Sequence, residues 1–320
     1  MDKVLPTAFV VSRDTDKLSH DINDYPGGII IPVDKPYRWT SADVIRKLKF
    51  AATRHFAKKN LKVGHAGTLD PLATGVLLVC IGNATKQAET LQAHDKEYIA
   101  GITFGATTPS YDLEKDIDRF FPYAHIDEEA IRSVLPSFLG EQEQIAPLFS
   151  AKSVDGVRAY ELARKLYKEN GGKAMTDTTS EFDSAAENII RTSLIRISKL
   201  ELLSFSPGAK SSGTKSSDTK AETTGTDSRE MPADRTSEIA STASKASSRI
   251  NVTDNSALGL PEATVRIACS KGTYVRAFAR DLGEALDSGA HLSRLQRSRS
   301  GDFHVNDALT VNTAIALLNH

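Results

Sequence analysis

The chain has 320 residues, 40% of them hydrophobic, enough to bury a sizeable core in one large domain or two smaller ones. A formal net charge of -1 and a pI near 6.7 exclude a protein that holds a polyanion by global charge, so any nucleic-acid contact must come from a local patch. No apolar run approaches the roughly 18 residues of a membrane span, and Cys80 and Cys269 sit in apolar runs with neither a CxxC partner nor metal-ligand spacing, so a soluble, cytoplasmic protein with no metal site is expected.

In chain order, residues 1–26 read as a weakly ordered extension that ends at Pro26, Gly27 and Gly28. The stretch GIIIPVDKP (28–36) reads as a strand, and its Pro32 argues against a central, regular position. Thr40 or Ser41 caps a helix whose Val44, Leu48 and Ala51 or Ala52 fall at helical spacing. From Lys35 to Lys62 there are nine Lys/Arg residues and one acid, Asp43, a density that suits either a phosphate backbone or a solvated helix face. Gly64, Gly67 and Pro71 then mark an irregular loop before Val76–Ile81, a short continuous apolar run bounded by Gly75 and Gly82 that reads as a strand covered on both faces.

Further on, EYIAGITFGATT (97–108) alternates as a strand, and DEEAIRSVLPSFLGE (127–141) is a helix with acids in its first turn that ends near Gly140. AYELARKLYKENGG (159–172) is a helix stopped at Gly171. Ser193–Phe205 and Ala263–Arg276 alternate like neighbouring antiparallel strands. Between them, 206–261 is rich in Ser, Thr, Lys, Asp and Ala, which cannot bury enough apolar surface to offset its ordering entropy, so a disordered insertion is expected there. Val275, Phe278, Ala279, Leu282 and Leu286 then recur as the apolar face of a helix.

Two constellations carry chemistry. Asp70 is the lone acid of KVGHAGTLDPLATGVLLVCIG (62–82), on a bend leading straight into a buried strand; it either caps its own turn or is held there as a charged group by a partner. CSKGTYVRAFARDLG (269–283) places Lys271, Tyr274 and Arg276 at a strand-to-helix junction, where an Arg can pair with a carboxylate from another strand end or stand exposed. Tyr98, after Lys96 and before a strand, reads by itself more as a core-edge tyrosine than as a base-stacking platform, and His65 reads either as a structural loop histidine or as a group inserted against a nucleotide.

Taken together these stretches resemble the TruB family, the tRNA pseudouridine-55 synthases. LKVGHAGTLDPLATGVLLVCIGNATK is similar to the family's signature motif. VDKPYRWTSADV, DKEYIAGITFGATT, QIAPLFSAKSVDGVRAYELAR, IIRTSLIRI, CSKGTYVRAFARDLGEAL and GAHLSRLQRSRSGDFHVNDALT follow in the family's order. The resemblance implies an α+β pseudouridine-synthase fold: a mixed, largely antiparallel sheet with flanking helices and a central catalytic cleft. One catalytic domain would be formed by 27–205 and 262–320, with little chain left for the C-terminal RNA-binding domain that many relatives append. It implies Asp70 as the essential catalytic group, Tyr98 stacking on the flipped base and aiding proton removal, and Arg276 pairing with Asp70. Lys35, Lys271, Tyr274 and Leu295 would line or support the pocket, and His65, Lys86 and Arg297 would join them in binding RNA. The reaction implied breaks the uracil N1–C1′ bond, rotates the base and rejoins it through C5, with no cofactor. The 144–164 region would be a thumb-like element gripping the T-arm of tRNA, and the protein would be a monomer with no protein partner. A tRNA-folding chaperone with little catalysis and a guide-RNA-dependent dyskerin-type synthase are the alternatives. Departures from the family's usual residues fall at Arg38 (Gly), Pro109 (an acid), Ala146 (Pro) and Gln296 (Arg).

Overall fold

The computed structural model describes residues 6–147, 153–154, 157–158, 192–208 and 250–319. The first strands are β1 (Phe9–Val10), β2 (Ile29–Lys35), β3 (Val63–Ala66), β4 (Ala73–Ile81), β5 (Lys96–Phe104), β6 (Ala106–Thr107) and β7 (Arg119–Phe120). They are followed by β8 (Gly140–Gln144), β9 (Ser153–Val154), β10 (Val157–Arg158), β11 (Ser193–Ser206), β12 (Glu262–Cys269), β13 (Ala290–Ser300), β14 (Phe303–His304) and β15 (Leu309–Thr310). The α-helices are α1 (Ser41–His55), α2 (Ala88–Ala93), α3 (Glu128–Val134), α4 (Val275–Ala285) and α5 (Val311–Leu317).

β4 is the spine. Its residues Val76 to Ile81 are all fully buried, and they divide by parity. Leu77, Val79 and Ile81 join one apolar cluster with Val44, Leu48 and Ala52 of α1, while Val76, Leu78 and Cys80 join a second with Ala66, Ala84 and Leu91. Each such side chain contributes about 1.5–3 kcal/mol by leaving water, which is why an unbroken apolar run is stable here and nowhere near a surface. α1 starts where Thr40 and Asp43 form a reciprocal capping box. The N-terminal turn of α4 is tied to β8 by Gln144, whose Oε1 accepts from the Tyr274 N–H (2.8 Å) and whose Nε2 donates to the Tyr274 carbonyl (3.2 Å).

The main sheet runs β1-β2-β4-β13-β5-β12-β11-β8, with β3 on β4, β14 on β13 and β15 on β2. Only β1–β2, β15–β2 and β4–β13 are parallel, so the sheet is mixed and largely antiparallel. β11 and β12 pair antiparallel up to Ser206↔Glu262. β9 and β10 form a short antiparallel pair. The helix expected over 159–172, most of the thumb-like region and residues 209–249 of the insertion lie outside the described residues.

Two expectations need correction. Residues 6–26 are not a loose extension: β1 adds a parallel strand to β2, and Val11 and Leu18 are buried in the main cluster, so apolar burial fixes them. Pro32 lies in the middle of β2, paired with Leu78 of β4. The Phe9 and Val11 amides donate to the Gly28 and Ile30 carbonyls, so even-numbered residues turn their backbone to the outer edge. There Pro32 falls between the end of β1 and the start of β15, where no N–H is needed.

The fold also builds a fork at β4. β2 runs along one edge, while the other is shared by β13 at Ala73–Gly75 and β3 at Leu78–Ile81. The loop joining β3 to β4 carries Asp70, and five successive carbonyls of that loop are held from beneath. Arg297 donates to Gly67 (3.2 Å) and Thr68 (3.4 Å). The Ser41 hydroxyl donates to Leu69 O (3.1 Å) while accepting from Leu69 N–H (2.9 Å). The Ala73 amide donates to Asp70 O (3.1 Å), and Lys35 Nζ donates to Pro71 O (3.2 Å). Lys35 also donates to the Pro36 and Trp39 carbonyls at 3.0 and 2.6 Å. Lys35→Met keeps the apolar stem and removes the donors from three carbonyls. We expect it to lower unfolding free energy by about 2 kcal/mol in urea denaturation; a parent-like midpoint and slope would mean that these bonds do not hold the loop.

Candidate active site

Asp70 and Arg276 meet across the sheet from opposite ends of the chain. Arg276 Nε donates to Asp70 Oδ2 (3.0 Å) and Nη2 to Oδ1 (3.3 Å), a two-point clasp that fixes the plane of the carboxylate. The Arg276 side chain is 6% exposed and that of Asp70 is 39% exposed, so the carboxylate reaches solvent while its partner does not. Arg276 is the second residue of α4 and is also held by the Ser110 carbonyl, to which Nη1 donates at 3.0 Å. Burial alone would make its guanidinium easier to deprotonate; the carboxylates of Asp70, Asp112 and Glu114 outweigh that and keep it charged.

Asp112 is the residue that inspection of the sequence missed. It is 5% exposed, lies 3.8 Å from Arg276 Nε, and is oriented by the Ser110 hydroxyl (2.6 Å) and the Glu114 amide (3.0 Å). Arg276 is thereby caught between two carboxylates, one buried and one open. Glu114, pushed up to about 7 by burial and by Asp112, completes the acidic cluster. An acid in a loop, five residues beyond the end of β6, gives no periodic signal, and only the folded loop turns it toward Arg276. Apolar walls from Leu72, Leu113, Leu292 and Leu295 complete a small pocket over Asp70. A charged carboxylate with one accessible face beside a leucine-lined pocket can act as a nucleophile or as a base on a ring inserted there.

The other expected residues divide. Leu295 lines the pocket. Tyr98 is 9% exposed on β5, opposite Arg297 of β13 and Ile267 of β12, and is not among the residues that line the pocket. Burial raises its phenol above the usual range, against the pull of Arg297, so the hydroxyl stays neutral. Tyr274 is the N-cap of α4, and Lys271 is exposed on the turn before it. His65 is half-buried on β3; burial, with Arg297, lowers its pKa, and its Nδ1 has no hydrogen-bond partner.

Of the expected RNA contacts, Arg297 is misplaced, while Lys35 takes the supporting place at the pocket that the family resemblance implied. Lys35 and Arg297, 0% and 1% exposed, face the underside of the Asp70 loop and not the solvent. Burial draws the Lys35 ammonium down to about 7, and the nearby Asp70 charge opposes the fall. Lys86 is exposed, just past the far end of β4 from Asp70, about 30 Å along the strand. Charge is visible in a sequence; the side of the sheet it takes is not. Arg38, where the family usually has Gly, has φ 62°, a backbone conformation that glycine adopts freely and arginine does not.

This arrangement has relatives. The sequence profile described as "TruB family pseudouridylate synthase (N terminal domain)" matches residues 54–175. The chain is 39% identical over 290 residues to the tRNA pseudouridine synthase B of Phocaeicola vulgatus, covering 91% of this chain and 93% of that one. It is 35% identical over 289 residues to that of Flavobacterium johnsoniae, covering 90% and 95%, and 37% identical over 281 residues to that of Thermus thermophilus, covering 88% and 75%. Among solved structures it is similar to a chain in the "Crystal Structure of a Cbf5-Nop10-Gar1 Complex", with a TM-score of 0.50 and 22% identity over 91% of this chain. It spans about half (54%) of that longer chain, and the likeness shows a shared fold. With better than a third of residues identical along nine-tenths of its length, the chain belongs to the TruB family of pseudouridylate synthases.

Proposed function

We propose that this enzyme isomerises a uridine of tRNA to pseudouridine, that its target is the T-loop uridine at position 55, and that it grips the T-arm. The single observation that carries the reading is the clasp of Arg276 on an accessible Asp70 above a leucine-lined pocket. The names of the relatives that match nearly end to end support it, and they favour action on tRNA over work with a guide RNA.

The chemistry follows from what a folded RNA offers. A uridine in a stacked loop hides C1′ and C6, so it must be extruded, and the apolar pocket offsets the lost stacking. Asp70 then acts on the nucleoside as nucleophile or as base while Arg276 holds it in plane. The N1–C1′ bond breaks, the uracil turns, C5 bonds to C1′, the C5 proton leaves and N1 ends protonated. Atoms balance without water or cofactor. The neutral Tyr98 hydroxyl serves the proton transfer. His65 and Lys271 supply RNA contacts at the rim, and the exposed Lys58, Lys59 and Lys62 extend a basic surface along the backbone. A monomer acting in the cytoplasm completes the proposal; no helix among the described residues is long and apolar enough to cross a membrane.

Purified protein incubated with an unmodified tRNA transcript should form pseudouridine at the T-loop uridine, read by chemical mapping; none at that position would overturn the assignment. Asp70→Asn keeps shape and removes charge, so turnover should fall at least about a thousandfold with Kd for RNA within about threefold. Residual turnover within tenfold of the parent would contradict the role of Asp70. Arg276→Lys keeps charge but loses the planar fork, and kcat should fall about a hundredfold; parent-like kcat would remove the clasp from the mechanism. Replacing Lys58 and Lys59 by Ala should flatten the dependence of log Kd on log salt by roughly 1.5–2, and an unchanged slope would leave them as a solvated face.

A further inference from the structure

We propose that residues 250–260, the return segment of the insertion, build with the sheet a second RNA subsite: a cavity beside the catalytic pocket that takes the base of a nucleotide flanking the reacting uridine. The inference rests on the tRNA reading above.

The segment is fastened to two loops, one of which carries pocket residues Asp112 and Leu113. Arg38 Nη2 donates to Ile250 O (2.8 Å), and the Thr253 amide donates to Leu113 O (2.9 Å). The Thr253 hydroxyl donates to Asp116 Oδ1 (2.7 Å). It thereby bridges the loop after β2, which Lys35 anchors, and the loop that carries Asp112. The left-handed Arg38 is strained where it stands, and its side chain is one of the three fastenings.

Behind the segment lies a cavity of about 590 Å³, large enough for a nucleoside. Asp254, Asn255 and Leu260 line one side, and Thr103 and His291 line the other. Leu113, Ser293 and Arg294 line both this cavity and the catalytic pocket, so the two are contiguous. Consecutive nucleotides are covalently joined, and a base extruded next to the reacting one must land in a contiguous space.

Three lining residues carry buried polar atoms with no partner, which native folds rarely tolerate without a ligand or water. His291 is 0% exposed, and its Nδ1 lies 2.9 Å from Ala106 O. A carbonyl only accepts, so Nδ1 carries the proton and Nε2, which is without a partner, is an acceptor. Burial lowers the pKa of this ring and keeps it neutral. Asn255 Nδ2 is an unpartnered donor, and Ser293 Oγ can serve as either. A donor, an acceptor and a hydroxyl around one cavity match the edge of a nucleobase. The lining argues against a phosphate: its one Arg, Arg294, is already paired with Glu262 (Nη1–Oε1 3.1 Å), and Asp254, whose Oδ1 accepts from the Ser256 amide (3.0 Å), adds a negative charge. A neutral base enters and the sugar-phosphate stays outside, beside the exposed Arg294.

The test is equilibrium binding of the full-length protein to a T-arm hairpin RNA and to two versions with an abasic sugar on the 5′ or the 3′ side of the target uridine. Asn255→Ala should weaken binding of the intact RNA about threefold to tenfold, and leave unchanged the binding of the abasic RNA that lacks the captured base. Arg38→Gly, which relieves the backbone, should show the same pattern by loosening the wall while thermal unfolding stays at or above that of the parent. If Asn255→Ala binds intact RNA as the parent does, or weakens intact and both abasic RNAs equally, the cavity holds only water and the proposal fails. Binding is read apart from turnover, so a parent that binds RNA without making pseudouridine overturns the reaction and leaves this subsite to be decided by the same Kd values.

Discussion

For the role proposed for Asp70, a carboxylate must sit on a backbone that is held still and yet leaves the side chain open. In this protein the five carbonyls from Gly67 to Pro71 turn into the body of the sheet and meet Arg297, Ser41, the Ala73 amide and Lys35. Both basic side chains are almost wholly buried, and their hydrogen bonds go to backbone carbonyls and not to carboxylates. Hydrogen bonds from charged donors are stronger than neutral ones, and leaving them unmade in a low-dielectric interior is costly. The loop has no regular structure, and this inward-facing set of bonds takes the place of one.

The fork at β4 makes that possible. A strand with two partners sharing one edge leaves a gap where they part, and there the Arg297 side chain donates to the Val76 carbonyl (2.7 Å) on its way to the Asp70 loop. Gly75 stands at the junction with φ 99°, and a Cβ there would lie 2.2 Å from the Arg297 carbonyl oxygen, so only glycine lets β13 approach closely enough for Arg297 to reach the loop. α4 delivers Arg276 from the other side, its first turn clamped by Gln144. Sharing one guanidinium between open Asp70 and buried Asp112 makes the ion pair part of a network, which suits a group that must stay oriented as the substrate replaces solvent.

Much of this was legible in the residues and some was not, for physical reasons. The buried run Val76–Ile81, the capped helix from Ser41 and the helix from Val275 carry period and punctuation, which the fold obeys. Asp70 and Arg276 were legible because a lone acid on a bend and an Arg at a strand-to-helix junction need partners, and family resemblance pointed each to the other. Arg297 was misread as an RNA contact because composition cannot say which face of a sheet a cation takes; Lys35, expected at the pocket, supports it from below and does not meet RNA. Asp112, Ser110 and Gln144 act through loop geometry and strand register, which leave no pattern in one sequence. Residues 6–26 and the return segment 250–260 looked like tails of low-information stretches, yet a few buried or bonded residues, Val11, Leu18 and Thr253 among them, are enough to fix them.

The account stands on the Asp70 loop being ordered by the protein itself before any RNA arrives. Hydrogen exchange of the RNA-free protein, resolved at single amides, tests this directly. The Leu69 amide, bonded to Ser41 Oγ, and the Ala73 amide, bonded to Asp70 O, should exchange as slowly as the core amides of β4. Exchange of both at the rate of an exposed turn would show that the loop is open in the free enzyme, and would contradict the account.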